Sequence, residues 1–243
     1  MEVELLLRLL LAHVAGDFYL QRDGWIADRR AKHARSAWLY VHGIVHGLLA
    51  WGALGDVTRW REALCIAGVH IAVELVRSYA DPRGRSTRWF LIDQAVHVAV
   101  LVLVVNSLSN GSITGSWSTH ASSVPLLSLA LAVLGITRPV GLFVQTFTRR
   151  WDEELGERTD NLPGAGMWIG VIERFLVLVF VVIGALEAVG FLLAAKSVFR
   201  FGDLRDDKDR KRTEYVLVGT FLSFAIAIVM ALCTRRLVRG SWT

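Results

Sequence analysis

The chain has 243 residues, of which 53% are hydrophobic, with nine tryptophans and a mean hydropathy of +0.44. That is too apolar for an ordinary soluble domain, and two cysteines, Cys65 and Cys233, without CxxC spacing exclude a disulfide framework or a thiolate metal site. The formal net charge of +5 resides in short loops between apolar stretches, which points to anionic lipid headgroups, and nothing in it resembles a nucleic-acid module.

Apolar stretches near the spanning length of ~20 residues follow one another along the chain. The first, 4–21, belongs to MEVELLLRLLLAHVAGDF, with acidic residues ahead of its apolar part and no small-residue cleavage site, so it reads as a retained first helix. Next come 37–55, 62–80 and 89–108. The stretch 122–148 contains Arg138-Pro139, which is expected to break or kink a helix. Segment 138–157 passes from apolar to charged, as a helix leaving the membrane or lying on its surface does. The stretch 166–200 is too long for one straight span at ~1.5 Å per residue, and it reads as a hairpin broken near Gly184 or Gly190, across which Glu187 and Lys196 can meet. The last stretch is 214–234. The fold class is therefore all-α, a polytopic membrane bundle of six to eight segments. It divides into a four-helix bundle at 1–108, an extracytoplasmic loop at 109–121 and C-terminal membrane helices at 122–243.

Cytoplasmic loops collect Lys and Arg. The connections 22–36 and 81–88 are basic, whereas 109–121 has no charged residue, which puts the first two inside and the third outside. The C-terminal half is less consistent, because basic residues at 201–213 and at Arg235, Arg236 and Arg239 flank a single span.

The ionisable groups of the first four helices share one pattern. Helix by helix they are His13 and Asp17, His42 and His46, His70 and Glu74, and Asp93 and His97, each a pair at i, i+4. That spacing puts both side chains of a pair on one helix face, one turn apart. An Asp at membrane depth costs roughly 2.5–3.5 kcal/mol on the insertion scale and needs a partner or a function. Because consecutive helices run antiparallel, Asp17, His42, Glu74 and Asp93 fall in one layer near the basic loops, and His13, His46, His70 and His97 lie a turn deeper.

A lone membrane histidine ordinarily bonds a neighbouring helix. Four matched pairs at one depth are better explained by a metal: imidazole supplies nitrogen, and carboxylates offset and bridge the charge. Eight donors suit two divalent transition ions ~3.5–4 Å apart, zinc first and manganese or iron next. Asp17, Glu74 and Asp93 are then the candidates for general base as well as ligands. Arg77, Arg83, Arg85 and Arg88 lie beside the carboxylate layer, where guanidinium forks can hold a phosphate. Lys196 and Arg200 offer a second cationic surface to anionic headgroups, with Glu173 and Arg174 pointing about 100° apart on their helix. Gln21 continues the Asp17 stripe as an orienting donor, and His33 and His120 fall in polar connections and read as surface residues.

The segments LLAHVAGDFYLQ, HGIVH, DQAVH, GMWIGVIERFLVLV, GFLLAAKSVFRFGD and EYVLVGTFLSF resemble an uncharacterised bacterial family of multi-pass membrane proteins carrying a domain of unknown function. That resemblance implies the bacterial cytoplasmic membrane and little chemistry. A weaker similarity, resting on the His/Asp helices, is to membrane-bound metal-dependent hydrolases, from which Glu74 departs where an Asp is expected. The residues thus point to a membrane hydrolase with a dinuclear site near the cytoplasmic side, acting on a phosphorylated lipid or phosphoester headgroup. The rivals are a metal sensor or transporter without catalysis and a histidine-rich di-iron oxidase, the last lacking its HxxHH pattern.

Overall fold

The computed structural model describes residues 2–109, 123–155, 164–201 and 207–240, and His120 and the loop expected at 109–121 fall outside them from residue 110 on. Every element among the described residues is helical: α1 (Glu2–Ala15), α2 (Asp23–Lys32), α3 (Ala37–Leu54), α4 (Trp60–Ala80), α5 (Thr87–Ser109), α6 (Ser123–Leu155), α7 (Ala165–Ile183), α8 (Leu186–Phe201) and α9 (Asp207–Gly240). Six of them, α3, α4, α5, α6, α7 and α9, are long and apolar enough to cross a membrane. The protein is an all-α, multi-pass membrane protein. The first stretch is helical nearly throughout, as an α-helix to Ala15 continued by a π-helical turn, Gly16–Leu20.

Two compact units divide the chain at Leu131 and Ala132, inside α6, rather than at the loop. In the N-terminal unit α1 packs on α3, α3 on α4, α4 on α5 and α5 back on α1, closing a four-helix ring. Short turns enforce this order. After α3, Gly55 adopts φ 66° and returns its N–H to Trp51 O at 3.3 Å, and Asp56 then accepts from Thr58 N at 2.9 Å to start the next turn. At one end of the ring Leu5, Leu9, Ala50, Leu54, Ala63, Ile66, Leu101, Val104, Val105 and Leu108 form an apolar core. The other end, next to the basic connections, is polar. There α2 occupies most of a segment that reads as a loop in the sequence and packs on α3 and α4.

In the C-terminal unit, α7 breaks at Gly184 (φ 95°), whose N–H and that of Ala185 close back on Phe180 O. The expected hairpin is thus present, but Lys196 bonds Glu173 and not Glu187. Helix α6 runs through Pro139 without ending, so of the expected break or kink the break does not occur. Proline removes the N–H that would serve Gly135 O and its ring crowds that carbonyl, opening the turn. Arg174, 4% exposed, reaches from α7 into that turn, donating to Ile136 O and to Thr137 O (3.3 Å), and binds Ser223 Oγ at 3.1 Å. Without water, opened backbone must find such a partner inside the protein. Around it Ile136, Val177, Val181, Phe224, Ala227 and Ala231 make the core.

Candidate metal centre

All four i, i+4 pairs point into the ring, and the side chains of the eight residues are between 1% and 8% exposed. Three overlapping groups hold ligand atoms within 4.8 Å of one another: His13, Asp17, His46 and His70; Asp17, His42, His70 and Glu74; and Asp17, Asp93 and His97. Asp17 belongs to all three. The π-helical turn that carries it widens the end of α1, a distortion found often at functional sites.

Asp17 Oδ1 stands 3.2 Å from His42 Nε2, 3.0 Å from His46 Nε2 and 3.4 Å from His70 Nε2, and the Nε2 atoms of His42 and His70 are 3.0 Å apart. Donors held at about 2.0–2.1 Å in tetrahedral order around one ion lie about 3.3–3.4 Å from each other. These four separations are close to those between donors of one coordination shell, with His42 and His46 in different donor groups that share Asp17 and His70. A hydrogen-bond network does not account for them as well. An imidazole nitrogen offers one proton or one lone pair, yet His42 Nε2 faces Asp17, His70 and Gln21 together. His46 Nε2 is close to Asp17 but outside hydrogen-bond geometry, and it has no bonded partner.

A second cluster adjoins the first. Asp17 Oδ2 lies 3.5 Å from His13 Nε2 and accepts from Gln94 Nε2 at 3.1 Å. The imidazole of His97 stacks on that of His70 at 4.3 Å and lies 5.0 Å from that of His13, centroid to centroid. Both ring nitrogens of His97, with Asp93 Oδ1 and His42 Nδ1, are buried without a hydrogen-bond partner. Orphaned buried polar atoms are rare and costly, and here they gather at one place. A narrow cavity beside them is lined by His13, His46, His70 and His97 on one side and by Leu9, Ala50, Ile66 and Val100 on the other.

The carboxylates nearest the basic end are shared with arginines. Glu74 Oε2 binds Arg29 at 3.0 Å, and Asp93 Oδ2 accepts from Arg77 Nη1 at 2.8 Å and Gln94 Nε2 at 3.1 Å. Gln21, in the amide orientation that satisfies its neighbours, accepts from both Nη1 and Nη2 of Arg29 at 2.7 Å and faces His42. Gln21 thus meets His42 as an acceptor and not as the donor expected of it. Arg29 and Gln94 are the residues that sequence reasoning passed over. Gln94 adjoins Asp93 in DQAVH, a legible signal, whereas Arg29 looked like one loop cation among five.

Of the residues assigned to anion binding, Arg77 lies at this centre, while Arg83 and Arg88 are exposed at the connection into α5. Lys196 belongs to the other unit, bonded to Glu173, and the side chain of Arg200 is outside the described residues. His33 is not a plain surface residue. Its Nδ1 meets Ser78 Oγ at 3.1 Å and its ring stacks on Tyr79 at 4.1 Å, which ties the end of α2 to α4.

Gly16 has no room for a side chain, because a Cβ there would fall 2.5 Å from the His46 ring. Gly16→Ala is expected to push that imidazole off Asp17 and to lower metal affinity about tenfold or more, as loss of a ligand's support does, with helix content unchanged. Competition with a chromogenic chelator, alongside circular dichroism, measures both.

No curated protein and no solved structure matches the chain. The match to a family model spans residues 5–126, which contains all eight centre residues and the charge-free loop and ends close to the division between the two units. The C-terminal motifs of the resemblance lie beyond it. The chain therefore belongs to the DUF3307 family, described as a protein of unknown function.

Proposed function

We propose that the protein is an integral membrane metal-dependent hydrolase of the bacterial cytoplasmic membrane, whose four-helix ring holds two divalent ions, zinc by preference. The observation that carries the reading is the packing of the His42, His46 and His70 Nε2 atoms within 3.4 Å of one carboxylate oxygen of Asp17. Asp17, His42, His46 and His70 would hold one ion, and His13, His97 and Glu74 with the other oxygen of Asp17 are the donors a second would draw on, Asp93 serving beside them as a ligand or as the general base.

Ions in such a donor set act as Lewis acids, bringing the pKa of a coordinated water to ~7 in the best zinc sites and withdrawing charge from a substrate oxygen. The chain supplies the rest. Asp93 Oδ1, buried and without a hydrogen-bond partner, is placed to accept a proton. Gln94 ties Asp93 to Asp17 and sets their spacing. Arg77 joins the centre to the basic side, where a phosphoester headgroup at the membrane surface would enter, and the apolar lipid chains stay among the helices.

Metal content of the detergent-purified protein tests the reading. About two equivalents of zinc, manganese or iron per chain are expected, with His46→Ala and Asp93→Ala each holding less. Iron with a visible absorption band favours the oxidase, and metal flux into vesicles favours a transporter. No bound metal, and none taken up on adding it back, reduces the eight residues to a helix-packing network.

A further inference from the structure

Gln94, next to Asp93 on α5, touches three of the centre residues at once. Its Nε2 donates to Asp17 Oδ2 and to Asp93 Oδ2, each at 3.1 Å, and its Oε1 faces His13 Nε2 at 3.3 Å. An ionised carboxylate only accepts, which fixes the orientation of the amide. The amide oxygen also only accepts, so the His13 nitrogen facing it carries its proton and has no lone pair to give a metal. Asp17 Oδ2, 3.5 Å from that nitrogen, favours the same proton.

Asp17 Oδ2 and His13 are donors that a second ion would draw on, and Asp93 stands beside them. A zinc ion holds carboxylate oxygens at about 2.0–2.2 Å, whereas the Gln94 amide nitrogen keeps two of them at 3.1 Å. The NH2 group thus occupies the place of a cation, and the carboxylates must close in by about an ångström when an ion replaces it. His97, whose ring nitrogens have no hydrogen-bond partner, is the donor that Gln94 leaves free. The bonds of Gln94 among the described residues do not reach His42, His46 or His70, so the first ion's imidazoles are not engaged by it.

Charge points the same way. Asp17, Glu74 and Asp93 bring three formal negative charges, and Arg29 and Arg77 pair with the last two at 3.0 and 2.8 Å. One negative charge is left, which a first dication already exceeds, so a second is held less tightly at this burial.

We infer that Gln94 gates the second metal position: its amide keeps the place of that ion, so the first ion is resident and the second is exchangeable and enters only as Gln94 swings away. The inference rests on the dinuclear reading above. It makes Gln94 a positioning residue outside the ligand set, through which the centre follows the supply of free zinc.

The test is zinc titration of the detergent-purified full chain under chelator-buffered free zinc, with bound metal counted by elemental mass spectrometry and helix content by circular dichroism. The parent is expected to fill in two steps. In Gln94→Ala the second step is expected at about tenfold lower free zinc, because the ion no longer breaks two hydrogen bonds to carboxylates, and the first step stays in place. Gln94→Met keeps the volume and forms no such bonds; it is expected to shift the second step the same way and decides the matter where Gln94→Ala loses helix content. A residue that merely orients ligands behaves oppositely, since its loss costs about 10–100-fold in affinity. A second step that weakens in these variants, or stays within about twofold of the parent, therefore overturns the gate and leaves the dinuclear reading standing. A single ion in the parent and two in Gln94→Ala support the gate. A single ion in both, or none, sinks the dinuclear reading and the gate together.

Discussion

Asp17→Asn is expected to abolish metal binding at both positions, from about two equivalents to below about 0.2 per chain. Asp17 is the member common to all three donor groups, with Oδ1 facing His42, His46 and His70 and Oδ2 facing His13. The amide keeps the shape but removes the negative charge that would offset the two proposed cations, and it turns an NH2 group toward imidazole nitrogens. Loss of a partner outside the coordination shell already costs 10–100-fold in affinity, so loss of a bridging ligand exceeds that. His97→Gln is expected to remove one ion only, since His97 belongs to a single group. Elemental mass spectrometry on both variants, with circular dichroism to confirm helix content, reads the difference. Two ions retained by Asp17→Asn would make Asp17 a packing residue.

Arg174→Leu is expected to destabilise the C-terminal unit by about 2–3 kcal/mol, because charge-assisted hydrogen bonds contribute about 1.5–3 kcal/mol each and part of that is offset by desolvating the guanidinium. The leucine fills the space but leaves Ile136 O, Thr137 O and Ser223 Oγ without that donor beside Pro139. In a dry interior the opened turn has no water to turn to. Unfolding in mixed detergent followed by far-ultraviolet circular dichroism gives the loss, and metal content should stay at the parent level because the centre belongs to the N-terminal unit. An unchanged transition would mean that the helical backbone satisfies those carbonyls alone.

The centre was more legible than the rest of the protein. A pair at i, i+4 states which helix face it occupies, and the basic connections rank the pairs by depth, so His13, Asp17, His42, His46, His70, Glu74, Asp93 and His97 form a set before any helix is packed. The same rules missed α2, where DGWIADRRAK has too few apolar residues to signal a helix and its ends are set by contacts such as His33 with Ser78 and Tyr79. They also left open whether Pro139 breaks its helix or only bends it. Whether proline ends a helix depends on what reaches its broken turn, and Arg174 is more than thirty residues away.

By itself, then, the sequence determined that the chain is an all-α membrane protein and which eight side chains its first helices turn inward, because hydropathy and helical periodicity act locally. Only the tertiary structure decided that Asp17 stands at their middle and that Glu74 and Asp93 are shared with Arg29 and Arg77. Those outcomes depend on which helices become neighbours and on a π-helical turn at Gly16–Leu20 that shifts Asp17 among the imidazoles. Distances of a few ångströms between residues far apart in the chain set which charge neutralises which, and no local pattern records them.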